Sequence, residues 1–265
     1  MLRRVFFPIG VLVATWWTGA MAIAEQLPPP ARWLPRDTVA VLEVSQPKAV
    51  LDLLLDSKLT ETIINHPVYK HAMAQPGLQQ ALTVVKYLEG ELGTDWKTGV
   101  RKLAGGGAAM AVTTTGAVVI IIDAEDGQML GKLHGMIVTF AKGEAQRQGQ
   151  PERVKSVKHG GVTCWELGDG RVQAVVGSRY IASNRLDALK ATLDMRTAPE
   201  QRSLASLAAY QAAKKAVGPS AAATAFVSLA GIKQVPGVKQ ALSKNTNPLG
   251  ALLFAGLIDS VRQSN

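Results

Sequence analysis

The chain has 265 residues and a formal net charge of +9; 47% of its residues are hydrophobic and only 18% are charged. This composition is typical of a globular protein rather than a disordered chain. The basic balance favours anionic partners, such as a membrane surface or an envelope polymer, but does not identify a ligand.

The N-terminus has the layout of a signal peptide. Arg3 and Arg4 precede the uncharged apolar stretch 5–24, which ends in Ala22-Ile23-Ala24, the small-x-small spacing that signal peptidase requires. We expect residues 1–24 to be removed and the mature chain, with a net charge of +7 once Arg3 and Arg4 are gone, to be periplasmic or extracellular. The alternative is an uncleaved segment that anchors the same outward-facing protein, because about 20 apolar residues also span a bilayer core.

The mature chain is predicted to contain one domain. Prolines 28–30 predict an extended N-terminus over residues 25–37, followed by a single α+β domain over 38–265. A first strand is predicted at 38–44 because it is rich in β-branched residues. A helical insertion of about 46–103 follows, with helices predicted at 47–59, 60–73, 78–92 and 95–103.

The next segment is predicted to be a β-hairpin. Gly116 separates strand 108–113 from strand 117–122. The second strand is an unbroken run of six apolar residues, which is typical of a strand buried on both faces.

The remaining elements complete an α+β pattern. We predict helices at 126–149, 186–195, 204–217 and 249–261, and strands at 153–157, 162–167, 172–176, 179–183 and 223–229. Strands joined by glycine turns, with helices gathered between them, indicate a mainly antiparallel sheet with a helical insertion and flanking helices.

The last predicted helix has a wide apolar stripe. The stripe is formed by Leu249, Leu252, Leu253, Leu257, Ile258 and Val261. Such a surface is unstable in water, so we expect this helix to contact its own sheet, a second copy or a further domain.

Cys164 is the only cysteine, so no intramolecular disulfide can form. Its neighbours have strand character, which favours a buried structural thiol over a nucleophile.

Two short motifs look like parts of a serine-enzyme active site. Ser45-Gln46-Pro47-Lys48 and Lys97-Thr98-Gly99 resemble two motifs of serine penicillin-binding enzymes. That chemistry also needs an S-D-N motif, which is absent, and a K-T-G on a strand, whereas this one falls in a predicted helix. We therefore interpret Ser45 as a helix cap and Lys48 as a solvated side chain.

Other motifs favour structural roles. Gly105-Gly106-Gly107 runs from a helix to a strand, the reverse of a phosphate loop, and is expected to end a helix and allow close backbone packing. The acidic residues of 123–126 are better explained by helix capping than by a metal site, since their spacing matches no calcium loop.

The four histidines, His66, His71, His134 and His159, show no zinc-binding spacing. Lys155, Lys158 and His159 are expected to form a solvated hairpin tip. No G-x-S-x-G or cofactor motif is visible, so the sequence assigns no catalytic, cofactor or metal residue.

Several short patterns together resemble a known family. They are Leu34-Pro35-x-Asp37-Thr38, Asp95-Trp96, Leu103-Ala104-Gly105-Gly106-Gly107, Gly161-Val162-x-x-Trp165, Val176-Gly177-x-x-Tyr180-Ile181-x-Ser183-Asn184 and Ser203-Leu204. The chain is similar in these to a family of uncharacterised exported bacterial proteins that carry a domain of unknown function. The resemblance covers most of the mature chain, implies export and an α+β fold, and supplies no activity. Relatives of this kind look longer, so this chain would correspond to their N-terminal part.

Two functions are consistent with these observations. The first is a non-catalytic exported module of the cell envelope that binds an anionic polymer or a protein partner, without sequence-specific recognition of nucleic acid. The second is a hydrolase or transferase whose site is assembled from separated residues such as Asp123, Glu125, His134 and Asp169. We expect the first because the catalytic signatures are missing.

Overall fold

The computed structural model describes residues 27–55, 76–168 and 170–236. In this part of the chain eight strands form one antiparallel sheet in the order β4-β5-β6-β7-β3-β2-β1-β8. The strands are β1 (Thr38–Val44), β2 (Gly107–Thr113), β3 (Val118–Asp123), β4 (Lys155–His159), β5 (Val162–Glu166), β6 (Val172–Val176), β7 (Arg179–Ser183) and β8 (Ala223–Val227). The predicted α+β class with a mainly antiparallel sheet is confirmed.

Helices flank this sheet. They are α1 (Pro30–Trp33), α2 (Pro47–Leu55), α3 (Pro76–Leu92), α4 (Trp96–Ala104), α5 (Gly127–Arg147), α6 (Leu186–Asp194), α7 (Ala208–Val217) and α8 (Leu229–Ile232). Short 3-10 turns occupy Pro151–Arg153, Glu200–Arg202 and Leu204–Ser206. The predicted helices at 60–73 and 249–261 lie outside the described residues. None of the described helices combines the length and the apolar character that a bilayer crossing needs.

Aspartates are the N-cap residues of two of these helices. The Asp95 carboxylate accepts a hydrogen bond from the Thr98 amide at 3.0 Å and caps α4, and the Asp126 carboxylate accepts one from the Met129 amide at 2.9 Å and caps α5. Each side chain thus satisfies an amide that has no partner within its helix.

One face of the sheet forms the hydrophobic core. Alternate strand residues, including Val119, Ile121 and Ile181, are completely buried against α1, α6 and α7. Leu189 of α6 is equally buried. Most of the apolar burial that stabilises the fold therefore lies on this side of the sheet.

A buried ion pair ties the core to the N-terminal segment. Arg179, whose side chain is 0% exposed, binds both carboxylate oxygens of Asp123 at 2.6 and 2.7 Å. Its guanidinium also donates to the Pro28 carbonyl and stacks 4.6 Å from the Trp33 ring centroid. A buried charge is tolerable only with such partners.

The other face of the sheet is only partly covered. Helices α3, α4 and α5 lie on this side, yet Leu42, Met110 and Ile120 are 46%, 48% and 37% exposed. The expectation that the strand at 117–122 is buried on both faces is therefore wrong for the described residues. Helix α5 leaves an open space above this part of the sheet, and Ile120 lines that space.

Two further local expectations differ from the structure. Residues 25–37 were expected to be extended, but Pro30–Trp33 forms a helical turn because Pro30 suits a first helical position and Trp33, 4% exposed, packs into the core. The helix predicted over 204–217 is interrupted at Leu207, whose ψ of 120° is extended. The predicted strand 153–157 begins later, at Lys155, after a 3-10 turn at Pro151–Arg153.

Candidate functional site

A groove lies on the partly covered face of the sheet. It has a volume of about 1030 Å³ and runs between α5, α3 and strands β3, β7 and β6. Apolar side chains dominate its walls: Val84, Leu88, Val118, Ile120, Leu133, Met136, Ile137, Phe140, Ala141 and Ala182. We call this cavity the apolar groove. Its size lies at the upper end of the range found for small-molecule sites.

Two helices form the outer wall of the apolar groove. The Tyr87 ring of α3 meets the Phe140 ring of α5 edge-to-face, with centroids 5.9 Å apart and planes at 82°. Phe140 is nevertheless 55% exposed and Val84 is 50% exposed. The apolar groove is therefore open to solvent along this wall, and large apolar side chains are left in contact with water.

His134 of α5 lies close to two polar side chains of the sheet, Tyr180 and Gln173. The Tyr180 hydroxyl donates to Gln173 Oε1 at 2.7 Å, and the Tyr180 and His134 ring centroids are 6.4 Å apart. Within the described residues, Gln173 Nε2 and His134 Nε2 are buried and have no hydrogen-bond partner. Burial lowers the pKa of His134 and raises that of Tyr180, since each group resists taking a charge away from water.

One end of the apolar groove is polar and contains both basic and acidic side chains. Arg153 donates to Gln148 Oε1 at 3.2 Å, to Gln150 Oε1 at 3.1 Å and to the Gly168 carbonyl at 3.0 Å. These acceptors are uncharged, and no ion pair joins Arg153 to a carboxylate in the described part of the chain. Glu144 also lines this end, where hydrogen bonds from Gln148 and the Arg147 charge lower its pKa.

The structure does not bring the candidate catalytic residues together. Asp123 is bound by Arg179, Glu125 forms an ion pair with Lys48 at 3.0 Å, and His134 has no polar partner at Nε2. No hydrogen bond or ion pair joins these three residues, and none of them lines the apolar groove. Asp169 lies outside the described residues.

Ser45 and Lys48 are also separated. The Ser45 hydroxyl lies 3.3 Å from Lys214 Nζ, while Lys48 pairs with Glu125. Lys214 Nζ also lies 3.0 Å from the buried carboxylate of Glu43, so this lysine has an ion-pair partner. The Lys97-Thr98-Gly99 segment lies in α4, as predicted, and not on a strand.

The glycine and acidic segments have the structural roles expected of them. Gly106 donates to the Asp123 carbonyl at 2.9 Å, and a Cβ at Gly106 would stand 2.8 Å from that carbonyl oxygen. This is the predicted close backbone approach. Asp126 caps α5, and the described residues contain no cluster of three or more potential metal ligands.

Cys164 and the hairpin tip were partly predicted. Cys164 is completely buried, as expected, and burial raises the pKa of its thiol. His159 was expected to be solvated, but its Nε2 lies 2.6 Å from Asp194 Oδ1 and links the β4–β5 hairpin to α6. His66 and His71 lie outside the described residues.

The apolar groove itself was not predicted from the sequence. Its walls come from helices and strands far apart in the chain, and no short motif marks them. Helical periodicity places Leu133, Met136, Ile137 and Phe140 on α5, but the same pattern is typical of a helix packed into a core. A groove wall differs from a core-packed helix only in that no other element covers it completely, and this is a property of the tertiary structure.

Comparison with protein-family models, with curated proteins and with solved structures finds no match. The family resemblance noted in the sequence therefore stays a prediction.

Proposed function

We propose that this chain is a non-catalytic, exported binding module of the cell envelope whose apolar groove holds the alkyl chain of an anionic amphiphile. The observation that carries this proposal is the groove itself, a cavity of about 1030 Å³ whose walls are mostly apolar and open to solvent. Apolar walls of this extent favour transfer of a hydrocarbon chain from water by roughly 0.8 kcal/mol for each buried methylene group.

The charge of the ligand follows from the end of the apolar groove. Arg153 has only uncharged acceptors in the described part of the chain, so a carboxylate or phosphate at this position would supply an anionic partner. An alkyl chain lying along α5 would then place its head group beside Arg153. This arrangement also agrees with the basic charge of the whole chain.

Export is supported by the sequence pattern of residues 1–24. N-terminal sequencing of the secreted form should give Glu25 as the first residue. If residues 1–24 are retained on a membrane-bound form, the module is anchored and its outward orientation is unchanged.

The rival function, a hydrolase or transferase, gains no support from the contacts of its candidate residues. Asp123 and Glu125 each have a cationic partner, and no contact joins either of them to His134. We therefore do not propose it.

Binding can be tested with palmitate as the probe, measured by displacement of a fluorescent fatty acid. Ala182 lies on the floor of the apolar groove, so Ala182→Phe should fill it and weaken palmitate binding at least about tenfold, or 1.4 kcal/mol. The control is Thr163→Phe, which adds the same ring at an exposed position on the same face of the sheet, outside the groove. It should leave the affinity unchanged.

A second pair of measurements isolates the head group. Arg153→Gln should weaken binding of palmitate but not of hexadecanol, which has the same chain length and no charge. Absence of saturable palmitate binding, or equal affinities in the Ala182→Phe and Thr163→Phe variants, would refute the proposal.

A further inference from the structure

Beside the apolar groove, the sheet presents a second apolar surface. Leu42, Met110 and Ile120 are direct neighbours across β1, β2 and β3, and Val227 of the adjacent strand β8 lies on the same face. These four side chains are 46%, 48%, 37% and 39% exposed. We call them the open strip. Leu42 pairs with Ala225 and Ala40 pairs with Val227, so Val227 lies diagonally from Leu42. The open strip thus crosses four neighbouring strands, a distance of about 14 Å.

The sequence of β3 is typical of a strand whose two faces are both buried, including the face that carries Ile120. Val118, Val119, Ile120, Ile121 and Ile122 form an unbroken apolar run, the pattern of a strand with both faces buried. In the described residues only the face with Val119 and Ile121 is fully buried. Among the described residues, no element therefore covers Ile120 and its neighbours on the open strip completely.

The last described residues before 237 lie beside the turn that joins two strands of this surface. Val235 and Pro236 lie against Gly116, 3.5 and 3.8 Å from the position that a Cβ would take there. Gly116 is in the turn between β2 and β3, the two strands that carry Met110 and Ile120. Residues 237–248 could span up to about 40 Å when extended, so the next residues can reach any part of the open strip.

We propose that residues 249–261 of this chain form a helix that covers the open strip. Their apolar positions Leu249, Leu253, Leu257 and Val261 recur every four residues and give one wide stripe. A helix of 13 residues is about 20 Å long, enough to cross four strands. The open strip shares only Ile120 with the apolar groove, and covering it needs no lipid, so the test below does not depend on the alkyl-chain ligand.

Thiol accessibility in the full chain tests this docking. A cysteine in place of Met110 should react slowly with a maleimide, because residues 249–261 cover it. Replacing Leu253 and Leu257 together by aspartate should detach the segment and raise that rate at least about tenfold. The matched control is Val217→Cys on α7, which is as exposed as Met110, at 48%, and lies away from the open strip. Its rate should be the same with and without the two aspartates.

The native Cys164 provides an internal check of folding. It is completely buried, so it should stay unreactive in every variant that remains folded. If Leu253→Asp and Leu257→Asp simply unfolded the domain, Cys164 would become reactive as well. In that case the single variant Leu257→Asp, a milder change, replaces the double one.

Two outcomes would overturn the proposal. In the first, Met110→Cys reacts as fast as Val217→Cys in the full chain, which shows that the open strip is uncovered. In the second, protection of Met110→Cys increases with protein concentration, which identifies a second copy as the occupant.

Discussion

The ion pair between Arg179 and Asp123 allows a quantitative test of the fold. Asp123→Asn preserves the shape of the side chain but leaves the guanidinium of Arg179, 0% exposed, without its anionic partner. Removing one member of a buried ion pair typically costs about 3 to 5 kcal/mol. With a urea m value of about 2 kcal/mol/M, the midpoint of unfolding should fall by about 1.5 to 2.5 M.

A surface pair with the same geometry is the control. Arg185 binds both carboxylate oxygens of Asp187 at 3.0 and 2.6 Å, but both side chains are largely exposed. Asp187→Asn should therefore shift the urea midpoint far less than Asp123→Asn, because water already solvates both partners. The double variant Asp123→Asn with Arg179→Met should be more stable than the sum of the two single changes predicts. Equal midpoint shifts for Asp123→Asn and Asp187→Asn would refute this reasoning.

Three further results are expected. Burial lowers the pKa of His134 below 6.5, so the imidazole takes up a proton in the unfolded chain before it does so in the folded one as pH falls. The free energy of unfolding should therefore decline below about pH 6.5. Urea unfolding at each pH should show a smaller decline in the His134→Gln variant. Gly106→Ala should destabilise the fold by about 1 to 3 kcal/mol, since its Cβ would stand 2.8 Å from the Asp123 carbonyl oxygen. Gly131→Ala has open space around its Cβ in α5 and should stabilise the fold by about 0.5 to 1 kcal/mol. Cys164 should react with a thiol reagent only at the rate of unfolding, and rapid labelling of the native protein would contradict its burial.

The strands could be predicted from the sequence because their signals are local. Glycine turns and alternating apolar residues mark β5, β6 and β7, and the glycine at 116 marks the β2–β3 turn. The start of α5 was equally clear, because the Asp126 side chain can cap a helix that begins just after it. Such features depend on neighbours in the sequence and so are visible without a structure.

The groove and the paired charges depend on residues far apart in the chain. Nothing near Asp123 indicates that its partner is Arg179, and nothing near Glu43 indicates Lys214. The run of apolar residues in β3 predicts burial on both faces, and the described residues bury only one of them. Whether Ile120 has a cover depends on the reach of α5 and on the path of the chain after Pro236, and neither is a property of the β3 sequence.

The position of β1 within the sheet has a consequence for the order in which the protein folds. The β2–β3 hairpin and the β4–β7 meander join strands that are close in sequence, so each can form early. Strand β1 is different: it pairs with β8, and the contact between Ala40 and Val227 closes a loop that contains most of the chain. Formation of long-range strand pairs is slow, because the chain entropy of the loop is lost before the contact is gained. Until residue 227 has left the ribosome, one edge of β1 has no partner, and a chaperone that binds extended segments would find its site there.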